Sequence, residues 1–224
     1  MFWPALTTSI MLAITLGLGF WQIQRLAWKQ SLLAAIEQGE LSPAMPLASF
    51  PTPFRRVIAT GRFLPGAARY GIELRSVGRS GPVMGSHVLN AFEPTTGDPL
   101  IVDRGWAPID LNVSPPAGEV QIEGYVRPPD RPVWFGPRDD LVARRFYTLA
   151  PSAIGASLGI PNSAPFTLVA LGVQSDTLPQ PAVTLPRPPN DHLLYAVTWF
   201  GLSAVLLVIF AFYIRQLMRH GPGT

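Results

Sequence analysis

The stretch that decides the fold is LLYAVTWFGLSAVLLVIFAFYI, residues 193–214, which contains no charged residue. About 20 apolar residues, each rising about 1.5 Å along a helix, span a hydrocarbon core roughly 30 Å thick. The aromatic side chains Tyr195, Trp199 and Tyr213 lie near the ends of the stretch, where interfacial aromatics are expected. The pattern predicts a transmembrane helix, which takes up residues 190–214 with its capping residues.

A second uncharged stretch, FWPALTTSIMLAITLGLGFW, occupies residues 2–21. A cleaved signal peptide has basic residues before its apolar part and a small-x-small site after it. Here no basic residue precedes the stretch, and it ends in Phe20 and Trp21. We therefore expect an uncleaved transmembrane helix over residues 2–21.

The composition agrees with a membrane protein, because only 14% of the 224 residues are charged, against about 25% in a typical soluble domain. The chain has no cysteine, which excludes disulfides, thiolate metal sites, iron–sulfur clusters and covalent c-type heme. The net charge of +3 is dispersed rather than concentrated in a basic stripe, so no nucleic-acid partner is expected.

The charges that flank the two helices predict the orientation. Arg215 and Arg219 follow the second helix without an acidic residue, so the tail 215–224 is predicted to be cytoplasmic. Arg25 and Lys29 favour the opposite orientation, but long loops are translocated largely regardless of charge. We expect a two-pass protein of a bacterial inner membrane, with both termini cytoplasmic and the main domain periplasmic.

The middle of the chain has a period of two instead of the helical period. A juxtamembrane helix is predicted over 22–40, followed by an extracytoplasmic β-rich domain over 41–189 that begins with a proline-rich linker. Short alternating runs separated by Gly, Pro, Asn and Asp are typical of antiparallel strands; they are RRVIATGRFL (55–64), SHVLNAFEP (86–94), DPLIVDRGW (98–106), GEVQIEGYVRP (118–128) and FTLVALGV (166–173). With one short helix in TLAPSAIGASLG (148–159), they predict an α+β domain built on a small antiparallel barrel or sandwich.

No hydrolase motif is present, neither G-x-S-x-G nor H-E-x-x-H. His87 follows Ser86 in a predicted strand, so the two side chains face opposite sides and cannot form a nucleophile–base pair. We interpret His87 as a solvated or edge histidine, and we expect that the protein is not an enzyme.

The run IVDRGWAP, residues 101–108, leaves two interpretations open. In a regular strand Arg104 and Trp106 share one side and Asp103 faces the other, while Gly105 relieves crowding at a bend. Arg104 then either pairs with a carboxylate of the domain or is directed at an anionic ligand or partner.

Two helical patterns are expected at the outer membrane interface. Gln22, Arg25 and Lys29 share one helix face, while Trp21 and Trp28 share another; this stripe is either an interfacial anchor or a receptor for a carboxylate-bearing amphiphile. His192 lies on one face with Tyr195 and Trp199, after a cap at Asn190 or Asp191. It is either an interfacial histidine without a ligand or an axial ligand of a heme whose propionates meet the cations.

Five blocks of the sequence together resemble the surfeit-locus family of cytochrome c oxidase assembly factors. They are GFWQIQRLAWKQSLL (19–33), GRFLP (61–65), IVDRGWAP (101–108), EGYVRPP (123–129) and NDHLLYAVTWF (190–200). The two-span layout matches as well. The family pattern leads us to expect a second asparagine at position 191, and the acid found there could alter the charge of the pocket.

The resemblance implies a non-enzymatic protein that binds heme a as cargo and aids its insertion into the catalytic subunit of the oxidase. The heme a synthase and membrane lipid are further candidate partners. By match to the family blocks, His192 is the axial ligand of the heme iron, and the other cofactor-binding residues are Tyr195, Trp199, Trp21, Gln22, Arg25 and Arg104. Lys29 is added to this set because it shares the helix face of Gln22 and Arg25. The alternative is a structural partner that stabilises the oxidase, or an assembly intermediate, without binding heme.

Overall fold

The computed structural model describes residues 2–48, 51–76, 81–131, 134–173 and 177–219, so the last five residues of the predicted cytoplasmic tail lie outside the described part. The chain divides into two compact units. One unit comprises Met1–Ala34 with Arg187–Thr224, and the other comprises Ala35–Pro186. We refer to them as the helical unit and the β-rich unit.

Two long helices lie at the ends of the described chain. Helix α1 covers Phe2–Leu41 and helix α3 covers His192–Arg219, and both are long and apolar enough to cross a membrane. Helix α1 continues without a break through the segment that follows residue 21. The prediction of two apolar helices that flank a β-rich domain is confirmed.

Eight strands and a short helix form the β-rich unit in the described part of the chain. The strands are β1 (Met45–Pro46), β2 (Arg56–Phe63), β3 (Ala68–Ser76), β4 (Pro82–Pro94), β5 (Leu100–Pro108), β6 (Glu119–Arg127), β7 (Arg145–Phe146) and β8 (Thr167–Ala170). Helix α2 covers Pro151–Ser157, with proline in its first turn, where the missing N–H costs no hydrogen bond.

Five of the strands close into a barrel, in the order β2, β6, β8, β5 and β4, with β4 returning to β2. The predicted barrel is thus confirmed. One pair, β5 with β8, is parallel, whereas the other four pairs of the barrel are antiparallel. Strand β3 extends the sheet beyond β4, β7 pairs with β3, and β1 pairs with β2.

The alternation of side chains along β5 fills two hydrophobic clusters. Leu100 and Val102 belong to the first cluster together with Phe92, while Ile101, between them, belongs to the second. Helix α2 contributes Ile154 to the second cluster. Burying a side chain of this size stabilises the fold by about 1.5–3 kcal/mol. Strand β5 is therefore packed on both faces, and its backbone has little freedom to move.

Candidate functional site

Helices α1 and α3 pack along a seam of small and polar residues. Ser203 Oγ lies 2.7 Å from Thr15 Oγ1, and a side chain at Gly19 would meet the Phe200 ring at 2.8 Å. Small residues let two helix backbones approach closely, as is common between membrane helices. Thr15 of α1 faces Ser203 of α3, and the later residue Gly19 faces the earlier residue Phe200. The two helices therefore run antiparallel.

At one end of this seam the predicted ligand His192 meets Gln22. The Nδ1 atom of His192 lies 2.7 Å from Oε1 of Gln22, and Gln22 is only 8% exposed. An amide oxygen can only accept a hydrogen bond, so Nδ1 carries the proton and donates it. With the proton on Nδ1, a neutral imidazole has its lone pair on Nε2. The contact fixes both the tautomer and the direction of the imidazole.

Asn190 and Asp191, the two candidate cap residues, directly precede helix α3. The carbonyl of Asp191 accepts the first helical hydrogen bond, from the N–H of Tyr195 at 3.2 Å. Asn190 does not cap the helix through its side-chain oxygen, because Oδ1 is buried without a hydrogen-bond partner among the described residues. Asp191 therefore occupies the cap position, directly before His192.

The other predicted residues of the helical unit are partly grouped. Tyr195 is exposed and Trp199 is half-buried, and helical spacing places both on the side of α3 that carries His192. Arg25 is exposed, and its guanidinium carbon lies 4.3 Å from the centre of the Trp28 ring, a cation–π geometry. Gln22 and Arg25, which the sequence places in one stripe, thus have different surroundings. Gln22 is buried in the seam, whereas Arg25 covers Trp28, which was expected on another face of the helix. Trp21 is exposed, and Lys29 is half-buried.

Arg104 belongs to the β-rich unit, where a β-bulge changes the direction of its side chain. Trp106 pairs with His87 and Asp103 with Leu89, so β5 has one more residue than β4 between these pairs. Gly105 takes φ = +113° at this point, a conformation that favours glycine. The sequence predicted a bend at Gly105, and the structure has a β-bulge at this position.

The expectation about side-chain directions is wrong because the bulge reverses the alternation. Asp103 lies on the side of Trp106, where its carboxylate contacts His87, while Arg104 faces the other side. Trp106 is fully buried, and its indole N–H donates a hydrogen bond to the carbonyl of Glu73 at 3.2 Å.

On its own side Arg104 is held by neutral groups. Its Nη1 atom donates to Asn90 Oδ1 at 3.3 Å and to the carbonyl of Val113 at 3.2 Å. The guanidinium also lies 5.5 Å from the centre of the Phe63 ring. Burial lowers the pKa of Arg104 below its ordinary value. Neither hydrogen-bond acceptor is the carboxylate that the first interpretation required.

His87 is bonded rather than simply solvated, so that interpretation was wrong. Nδ1 lies 3.0 Å from Asp103 Oδ1, and Nε2 lies 3.8 Å from Glu73 Oε2. Burial alone would lower the pKa of His87, but the hydrogen bond and charge of Asp103, assisted by Glu73, raise it above its ordinary value. The pair could not be predicted, because in a strand of regular alternation Asp103 would face away from Trp106 and its partner His87. The bulge at Gly105 places Asp103 on the side of His87.

Comparison with known proteins agrees with the sequence blocks. The model of the SURF1 family matches residues 9–204. A SURF1-like protein of Rickettsia bellii is 31% identical, over 98% of this chain and 94% of that protein. Surfeit locus protein 1 of Rattus norvegicus is 28% identical, over 95% of this chain and 75% of that protein, and the human protein of the same name is 27% identical. The chain therefore belongs to the SURF1 family, the surfeit-locus family of oxidase assembly factors that its sequence blocks resemble.

Proposed function

We propose that this chain is a membrane-anchored, non-enzymatic assembly factor of cytochrome c oxidase that binds heme a through His192 and aids its insertion into the catalytic subunit. Membership of the SURF1 family supports the assembly role. The observation that carries the heme-binding role is the hydrogen bond of 2.7 Å between His192 Nδ1 and Gln22 Oε1.

This hydrogen bond suits an axial ligand. Histidines that bind metals usually donate their other ring N–H to an acceptor, which sets the tautomer and raises the basicity of the coordinating nitrogen. Gln22 is such an acceptor, and it leaves Nε2 of His192 with the lone pair that iron requires. Gln22 is thus a positioning residue in this proposal, rather than a direct contact of the heme.

The surroundings of His192 offer the other groups that heme recognition needs. Tyr195 and Trp199 provide flat apolar surface on the same side of α3, and Trp21 adds an exposed ring on α1. Arg25 and Lys29 supply positive charge for the two propionates, by charge-assisted hydrogen bonds. The hydrogen bonds of Arg104 are made to Asn90 and Val113 of the β-rich unit. A contact between Arg104 and heme is still only a prediction from the sequence.

The direct test is the amount of heme a that co-purifies with the full chain from cells that synthesise heme a. His192→Leu keeps α3 apolar, so abundance on an immunoblot should hold while the Soret absorbance per protein falls to near zero. Gln22→Leu should retain less heme than wild type, because the imidazole loses its orientation; outer-shell partners of metal ligands are typically worth about 10–100-fold in affinity.

Gln24→Leu is the matched control, since Gln24 is an exposed glutamine on another face of α1. It should leave the heme content unchanged. If His192→Leu retains heme at the wild-type level, the ligand role is refuted. The structural-partner alternative gains support if the same variant also sustains normal oxidase assembly.

We further propose that the β-rich unit is periplasmic and that both termini are cytoplasmic in a bacterial inner membrane. The support is the pair Arg215 and Arg219 after the second apolar helix. Alkaline phosphatase, which is active only outside the cytoplasm, should be active when fused within residues 41–60 and inactive when fused after Arg219. The reverse pattern would overturn the orientation.

A further inference from the structure

A second irregularity in the sheet, on strand β3, opens a small cavity. Tyr70 pairs with His87 and Glu73 with Gly85, so Gly71 and Ile72 bulge out opposite Ser86. Gly71 takes φ = +65°, which a bulge of this kind favours. The bulge and Ser86 line a cavity of about 30 Å³, which we call the Ser86 cavity. One water molecule requires roughly 10–15 Å³, so the space suits a single small occupant.

Two buried polar atoms of residues that line this cavity have no hydrogen-bond partner among the described residues. They are Oγ of Ser86, a residue that is 1% exposed, and Nη1 of Arg69. The other terminal nitrogen of Arg69 donates to the carbonyl of Leu111. A buried polar group left unpaired costs about 1–3 kcal/mol, and more when it is charged. Both unpaired atoms carry a hydrogen that can be donated to an acceptor.

The charge of the lining favours an acceptor that is negative. Arg145 and Tyr147, both exposed, also line the cavity, and none of the described lining residues carries a carboxylate. Burial lowers the pKa of Arg69, the effect expected of a cation that has lost water without gaining an acidic partner. Two arginines, a hydroxyl and a phenol thus surround one small space.

We propose that the Ser86 cavity binds a small anion, held by the Nη1–H of Arg69 and the hydroxyl of Ser86, with Arg145 at its exposed side. The class comprises monatomic anions of about the size of chloride, which a cavity of about 30 Å³ admits. The site lies in the β-rich unit and does not depend on heme binding. A neutral water molecule is the competing occupant, and the effect of different salts separates the two.

The first experiment measures thermal unfolding of the detergent-purified full chain in sodium chloride and in sodium isethionate at equal ionic strength. Isethionate is too bulky for a cavity of this size. An anion that binds only the folded state raises the melting temperature in a saturable way. We expect such a rise with chloride and not with isethionate. A parallel titration with bromide tests a second monatomic anion, which should also raise the melting temperature. Identical melting curves in chloride and isethionate would overturn the proposal in favour of water.

The second experiment measures chloride binding directly, by the broadening of the ³⁵Cl NMR signal. Arg69→Gln should weaken binding about tenfold or more, and Ser86→Ala about two- to tenfold, from the usual values of charged and neutral hydrogen bonds. Arg62→Gln is the matched control, because Arg62 is an exposed arginine of β2 that pairs with Glu93 outside the cavity. If Arg69→Gln does not fold, Ser86→Ala and displacement of chloride by bromide decide the matter. Equal broadening by wild type and Ser86→Ala, with no displacement, would refute the site.

Discussion

Replacing Gly105 with alanine is expected to destabilise the β-rich unit severely. An added Cβ would overlap the carbonyl group of Gln180 and lie 2.7 Å from Cα of Pro181, closer than any ordinary van der Waals contact. The neighbouring segment cannot easily retreat, because it is bonded to β5 in both directions. The N–H of Trp106 donates to the carbonyl of Gln180 at 2.8 Å, and the N–H of Gln180 donates back to Trp106 at 2.7 Å.

The magnitude follows from two separate costs. A side chain at φ = +113° costs about 1–3 kcal/mol in backbone strain. Moving Gln180 away breaks two hydrogen bonds, which contribute about 0.5–1.5 kcal/mol each. Together they lower the free energy of unfolding by about 2–6 kcal/mol, a large part of the roughly 5–15 kcal/mol that a typical domain has.

The assay is thermal unfolding of the purified full chain, followed by the fluorescence of its tryptophans. In a domain of this size 1 kcal/mol shifts the melting temperature by roughly 2–4 °C. Gly97→Ala is the matched control, because Gly97 takes φ = +100° but has nothing within 4 Å of an added Cβ. The loss should be clearly larger for Gly105→Ala than for Gly97→Ala. Equal losses would refute the reasoning, since they would leave only the backbone strain.

Three further predictions concern other polar contacts. Because the pKa of His87 is raised in the folded protein, the contact of His87 with Asp103 stabilises the fold fully only below the unfolded pKa of about 6.5. The difference in melting temperature between wild type and His87→Gln should therefore shrink as the pH rises from 5.5 to 8.5. A difference that stays constant over this range would contradict the prediction. Tyr70→Phe should cost about 1–3 kcal/mol in urea unfolding, because the hydroxyl donates to Asp130 and accepts from Arg127, each at 2.9 Å; a cost below 0.5 kcal/mol would show that water replaces the hydroxyl. Arg25→Ala combined with Lys29→Ala should reduce heme retention in a salt-dependent way without unfolding the β-rich unit, and unchanged retention would limit both cations to membrane anchoring.

The two long apolar helices and the barrel are the parts of the fold that the sequence predicts well. Residues 193–214 identify a span by length and lack of charge alone, which needs no knowledge of neighbouring elements. Strand β2 shows the alternation of a barrel wall, because Val57, Ala59 and Gly61 are buried between less buried neighbours. Strand β3 has no clear apolar alternation: its outer half, from Ile72 to Ser76, is mostly exposed, so its sequence lacks the signal of a packed strand.

The side-chain directions around Arg104 could not be predicted, for a different reason. Alternation along a strand holds only while the register is regular, and one extra residue reverses it. Gly105 indicated an irregularity, but glycine alone does not distinguish a bend from a bulge. The position of the bulge depends on pairing with β4 and on the approach of Gln180, and both are long-range contacts.

The hydrogen bond between His192 and Gln22 could not be predicted from the sequence either, because 170 positions separate the two residues. The sequence grouped Gln22 with Arg25 and Lys29, whereas the structure places it in the seam. Among the described residues, two polar contacts cross that seam, and they differ in which atoms they leave free to bind a ligand. The hydroxyls of Ser203 and Thr15 lie at hydrogen-bond distance from each other and from carbonyls of their own helices, so they serve packing alone. His192 uses only Nδ1 in its contact with Gln22, which leaves Nε2 available to a ligand. If the contact between Gln22 and His192 serves only helix packing, combining Gln22→Leu with His192→Leu replaces a polar contact by an apolar one and should change the stability of the helix pair little. A stable double variant that cannot load heme would therefore separate the ligand role of this pair from its role in holding the helices together.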